Sequence, residues 1–200
     1  LLAGRIENRA ITPDDLHPND DGHELVASVI IHVLEQIRVS AGMEVKSDSG
    51  EAEKVPLTAN AYEDSIRYQN DSAVFTANGF VADQDRQDGI TDIFKNGWTA
   101  NQKGATITFE VEGSCIGIQY RKTIKLPAPV AEVVIDDDSA HAVRLDANFD
   151  ETWGDKLQLD TIAEHIEKGK HKVQITITET HETDQLPFYL VSVIASGKEK

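Results

Sequence analysis

The chain holds 200 residues, of which 40% are hydrophobic and 27% charged, ordinary proportions for a globular protein with room for one large domain or two small ones. Nineteen basic against 35 acidic side chains leave a net charge of −16, which repels phosphate backbones and anionic lipid, so neither nucleic acid nor a membrane is an expected partner; neutral substrates such as polysaccharides suit it better. Cys115 is the single cysteine, which excludes an intrachain disulfide, and no apolar run approaches the ~18 residues of a membrane helix.

Three stretches follow one another. Residues 1–40 end in the one persuasive long helix. Asp21-Gly22-His23-Glu24 reads as a capping box, with Asp21 accepting from the third helical amide and Glu24 reaching back. Leu25, Val26, Val29, Ile30, Val33, Leu34 and Ile37 then recur at helical spacing and form a wide apolar stripe. Little in residues 1–20 could bury it, so a missing body or a partner chain is expected to cover it. The opening Leu1-Leu2-Ala3-Gly4 does not resemble a natural start, and the chain is expected to begin in mid-protein. Residues 41–60 are polar and aperiodic around Ser47-Asp48-Ser49-Gly50 and Pro56, and read as a linker.

Residues 61–200 carry strand signals. Ala105–Val111, Val130–Ile135 and Lys172–Thr178 alternate, and Ile116–Tyr120 and Phe188–Ala195 add two apolar runs. Short strands separated by Gly, Asp and Asn turns predict a mainly β chain, folded as an antiparallel, jelly-roll-like sandwich. Ile162–Lys168 is expected to form a short helical turn, Asp136-Asp137-Asp138 a hairpin turn, and Cys115 a small buried hydrophobe.

The segment with the most chemistry is Thr12-Pro13-Asp14-Asp15-Leu16-His17-Pro18-Asn19-Asp20-Asp21-Gly22-His23. A histidine acting as general base needs one tautomer and one orientation, and a carboxylate on its other ring nitrogen supplies both. Asp14 and His17 stand three apart in a loop and can meet without long-range folding; Pro18 stiffens the chain behind them. The pattern Asp-x-x-His-Pro-Asn-Asp-x-Gly-His before an apolar helix resembles the last sequence block of the SGNH (GDSL-type) hydrolases. The resemblance covers about 25 residues, and Asp15 stands where many members have glycine. It implies that residues 1–40 close an α/β esterase domain, that His17 is the general base and Asp14 its orienting acid, and that Asn19, Gly22 and His23 are structural. It also implies a serine from an upstream Gly-Asp-Ser block, which is absent here: Ser47-Asp48-Ser49-Gly50 follows the Asp/His block instead of preceding it. This chain alone is therefore expected to be inactive. The parent protein is expected to be a secreted or cell-surface bacterial esterase that removes acyl groups from a carbohydrate or another small ester, with no cofactor. A non-catalytic carbohydrate-binding or structural sandwich is the alternative.

Two tryptophans are candidate ligand residues. Trp98 and Trp153 each adjoin glycine in loop-like sequence, where an indole can stack on a sugar ring or plug the end of the core. His141, His165, His171 and His181 share no metal-ligand spacing, and Asp83, Asp85 and Asp88 near Gly89 lack the order of a calcium loop, so no metal site is expected.

Overall fold

A computed structural model describes residues 7–14, 16–41, 62, 64–85 and 93–197. Two compact units divide the chain, Leu1–Val55 and Pro56–Lys200. Apart from Ala41, the expected linker lies outside the described residues, as does most of the loop from Asp83 to Gly89.

In the first unit a single turn, α1 (Asn8–Ile11), leads through a loop into α2 (Asp20–Ala41). The cap of α2 is Asn19, two residues before the expected Asp21: its Oδ1 accepts from the Gly22 amide at 3.0 Å, and its carbonyl accepts from His23. Asparagine serves as well as aspartate at this position, and Asn19 also holds two carbonyls of α1, so the helix begins where the chain is already fixed. Val26, Val29, Ile30, Ile31, Val33, Leu34, Ile37 and Val39 of α2 are between 50% and 58% exposed. Among the described residues, no helix is long and apolar enough to cross a membrane.

The second unit is a β-sandwich. Its strands are β1 (Ile66–Tyr68), β2 (Phe75–Asn78), β3 (Val81–Ala82), β4 (Trp98–Ala100), β5 (Thr106–Gly113), β6 (Cys115–Lys122), β7 (Val130–Ile135), β8 (Val143–Asp146), β9 (Lys156–Ala163), β10 (Gly169–Glu179) and β11 (Phe188–Ser196). One sheet runs β3-β4-β11-β6-β9 with β1 also on β11; the other runs β2-β5-β10-β7-β8. Every pairing between named strands is antiparallel. Alternation decides which side chains face inward. On β5, Ile107, Phe109 and Val111 are buried while Thr106, Thr108 and Glu110 are not, and β10 repeats the pattern with Val173, Ile175 and Ile177. These meet Ile116, Ile118 and Tyr120 of β6 and Phe188 and Leu190 of β11 in one core, with Tyr120 stacked on Phe188 at 5.7 Å. Each fully buried large side chain contributes about 1.5–3 kcal/mol.

Cys115 is buried, and Asp136 and Asp137 both take positive φ in the turn after β7, as their sequence suggests. Ile162–Lys168 forms no helical turn. β9 runs through Ala163, and His165, at φ 57°, then bends the chain toward β10.

Candidate functional site

Asp14 and His17 meet. His17 Nδ1 lies 2.6 Å from Asp14 Oδ2, while Asp14 Oδ1 accepts from the backbone amides of His17 at 2.6 Å and Leu16 at 3.1 Å. The bond to the imidazole, aided by those two amides, holds the Asp14 carboxyl well below the usual carboxylate range. An ionised Asp14 can only accept, so Nδ1 donates to it, and in the neutral ring the lone pair falls on Nε2 of a side chain that is 77% exposed.

The loop behind the pair is tied at several points. Asn19 Nδ2 donates to the Ala10 carbonyl at 2.9 Å and the Asn19 amide to the Ile11 carbonyl at 3.0 Å. A Cβ on Gly22 would stand 2.4 Å from the Ile11 oxygen and 2.8 Å from Pro18 Cβ, so only glycine lets α2 approach α1 this closely. Asn19, Pro18 and Gly22 thus fix the backbone on either side of His17. His23 is exposed at the start of α2; Asp15, Ser47 and Ser49 lie outside the described residues.

The same acid–imidazole geometry recurs in the sandwich, where His141 Nδ1 is 2.7 Å from Asp138 and His181 Nδ1 is 3.0 Å from Asp184, each pair three residues apart. Such a pair is what a tight turn produces from these residue types, and it marks no reaction centre on its own. The Asp14–His17 pair is set apart by its surroundings, above all the Asn19 and Gly22 contacts.

Trp153 and Trp98 part company. Trp153 is 66% exposed between β8 and β9, with Phe149 edge-on at 5.2 Å and Lys156 Nζ 5.6 Å from the Phe149 ring centre. Trp98 opens β4 with 0% exposure, edge-on to Phe75 at 5.2 Å and Phe109 at 5.1 Å. A ring with no exposed face cannot stack on a ligand, which corrects the ligand-binding expectation for Trp98 in favour of its role as a core plug.

Elsewhere on the sandwich lies a cleft of about 440 Å³ that the sequence did not suggest, lined by Asp83, Phe94, Arg121, Leu186 and Tyr189 among others. The Arg121 guanidinium sits 5.8 Å from the Phe94 ring centre and 5.5 Å from that of Tyr189, and donates to the Pro187 carbonyl at 3.0 Å. Burial draws its pKa down, against the opposing pull of Asp155. Asp155 Oδ1 accepts from Thr123 Oγ1 at 2.7 Å, and its Oδ2 stands 4.0 Å from Arg121 Nε. The Tyr189 hydroxyl donates to Asp83, and with burial this raises the phenol's pKa.

The chain is similar along its full length to the crystal structure of a two-domain esterase (CEX) active on acetylated mannans, co-crystallized with mannopentaose: 59% identity and a TM-score of 0.87, covering 100% of this chain and 52% of that one. A second crystal structure, of a two-domain esterase (CEX) active on acetylated mannans, matches at 59% identity and a TM-score of 0.87 over 99% of this chain and 53% of the other. The chain thus spans about half the length of these esterases. No family model and no curated protein matches it.

Proposed function

We propose that this chain is the C-terminal part of a serine carbohydrate esterase of the SGNH type, in which His17 and Asp14 complete a triad and the sandwich holds the glycan. The observation that carries the reading is the 59% identity to an esterase active on acetylated mannans, over an alignment that covers 100% of this chain. In this reading His17 Nε2 takes the proton of a serine hydroxyl from the half of the protein that the chain does not span. The serine oxygen then bonds to the acetyl carbon, and the sugar oxygen leaves with the proton from His17. Water next attacks the acyl carbon and gives one proton to the same nitrogen; the serine oxygen leaves the acyl carbon and takes that proton back, releasing acetic acid, which ionises to acetate. Asp14 keeps Nδ1 protonated throughout. The missing half also offers the surface to cover the exposed apolar side chains of α2. A secreted or cell-surface location follows from a polysaccharide substrate.

A second reading, a sandwich that binds glycan without acting on it, draws on the 66% exposure of Trp153. One set of measurements separates the two. The 200-residue chain is expected to show no turnover of p-nitrophenyl acetate, while the protein joined to its serine-bearing half hydrolyses acetylated mannan and loses ~10³-fold or more in kcat with His17→Ala. Mannopentaose titrated into the 200-residue chain is expected to change Trp153 fluorescence and to bind at least tenfold more weakly to Trp153→Ala. Undiminished hydrolysis by His17→Ala sinks the catalytic assignment; undiminished sugar binding by Trp153→Ala sinks the binding one.

A further inference from the structure

His171 opens the inward-facing series of β10, in register with Val111 of β5, and is only 9% exposed. Both of its ring nitrogens face acceptors: Nδ1 lies 2.6 Å from Asp136 Oδ2, and Nε2 lies 2.8 Å from the Glu167 carbonyl oxygen. Neither partner atom has a proton to give. A neutral imidazole has one N–H, so either tautomer would set a nitrogen lone pair against an oxygen lone pair; only the imidazolium satisfies both contacts. Asp136 cannot swing away, because its Oδ1 accepts from the Lys172 amide at 2.8 Å and its own amide donates to the Lys172 carbonyl at 2.9 Å.

The two acceptors belong to different segments. Asp136 opens the turn from β7 to β8, and Glu167 lies in the segment between β9 and β10, whose Ile166 amide donates to the Ser114 carbonyl at 3.1 Å. Between them is a cavity of about 590 Å³ lined by His171, Asp136, Asp138 and His141 on the turn side and by Glu164 and Glu167 on the other. Lys170 and Lys172 flank His171 on β10, in register with Glu112 and Glu110 of β5, and Lys172 Nζ is paired with Asp137 at 2.6 Å. The carboxylates around the cavity favour a cation there. Burial works against the charge on His171, but the bonds to Asp136 and the Glu167 carbonyl outweigh it, and the pKa is raised above 6.5.

The geometry points to His171 as an imidazolium latch that joins the β7–β8 turn and the β9–β10 segment to the start of β10, and that releases the β9–β10 segment when the proton is lost. Because the folded-state pKa is raised, the stabilisation is complete below the ordinary histidine value of ~6.5 and disappears as pH rises through the folded value. On deprotonation the Asp136 contact is retained, since Asp136 is held by backbone on both sides, and the exposed Glu167 segment lets go.

The test is a pH titration of the intact chain by long-range ¹H–¹⁵N NMR of its histidines, with amide exchange followed at Ile166. Both His171 nitrogens are expected to be mostly protonated at pH ~6.5, where an ordinary histidine is about half neutral, with the midpoint lying above that value. Ile166 exchange should quicken at least tenfold across the His171 midpoint. Asp136→Asn should bring that midpoint below the ordinary value, and the wild-type titration stands whether or not this variant folds. A His171 found mainly as a single neutral tautomer at pH ~6.5, or Ile166 protection that does not change across the midpoint, overturns the latch.

Discussion

Replacing Trp98 by phenylalanine sets two opposed effects against each other. The indole is fully buried, and its Nε1 has no acceptor among the described residues. Phenylalanine would leave a void of about 40 Å³, which at ~24 cal/mol per Å³ costs about 1 kcal/mol. It would also remove the orphaned donor, whose burial costs about 1–3 kcal/mol, and keep an aromatic ring against Phe75 and Phe109. Trp98→Phe should therefore match the parent in stability or exceed it by up to about 2 kcal/mol, whereas Trp98→Ala loses the ring as well and should cost about 3–5 kcal/mol. For a sandwich of this size that is a fall in Tm of about 10–15 °C. Trp153→Ala, at a 66% exposed site, should stay within about 1 kcal/mol. Thermal and urea unfolding of the three variants, followed by far-ultraviolet circular dichroism, gives the ranking directly. If Trp98→Phe costs as much as Trp98→Ala, the indole N–H is satisfied and the reasoning fails; if Trp98→Ala costs less than about 1 kcal/mol, Trp98 is no core residue.

Two further substitutions probe backbone approach and the Asp–His loop. A Cβ on Gly97 would lie 2.2 Å from the Leu190 carbonyl oxygen and 2.6 Å from Tyr189 Cε1, so Gly97→Ala must push β4 off β11; a loss of about 2–3 kcal/mol is expected, read as a lower urea midpoint at unchanged m. Because the Asp14 pKa is depressed in the folded chain, the Asp14–His17 bond should persist at pH 4, where an ordinary aspartate (~3.9) is about half protonated, and vanish only as pH falls through the lower folded value. The Asp14 carboxyl ¹³C shift reports this, and His17→Ala should move the Asp14 midpoint back toward the ordinary value.

The strands legible in the sequence are those with one buried and one open face. β5 and β10 alternate because each lies inside its sheet with threonine, glutamate or lysine outward. β11 could be seen as an apolar run for another reason: it is buried on both faces. β1 to β4 span two to four residues each and exist through pairing with distant strands, too short for any period to register. β9 escaped because its residues are only partly covered, with Leu159 turned outward at 51% exposure. Asn96-Gly97 does mark a turn, with Asn96 at φ 56°, but strand β4 begins at the next residue, which is why Trp98 read as a loop residue. Asp14 and His17 were legible because their partnership is local. The Arg121 cleft was not, since Asp83, Phe94, Arg121 and Tyr189 come from four separated segments.

β11 lies between β6 on one side and β4 and β1 on the other, so the first strand of the sandwich finds its partner only in the last. About 120 residues separate Tyr68 from Phe188. At roughly 5–20 residues per second on the ribosome, β1 waits some 6–24 s for the strand it will pair with. Over most of that interval the inner side chains of β6 have no β11 to cover them, so the domain is born late, and its nascent form is a client for whatever shields apolar chain in the cell. Premature stops before Phe188 would therefore yield a species that cannot assemble this sheet at all, and would be cleared rather than function as a shortened sandwich.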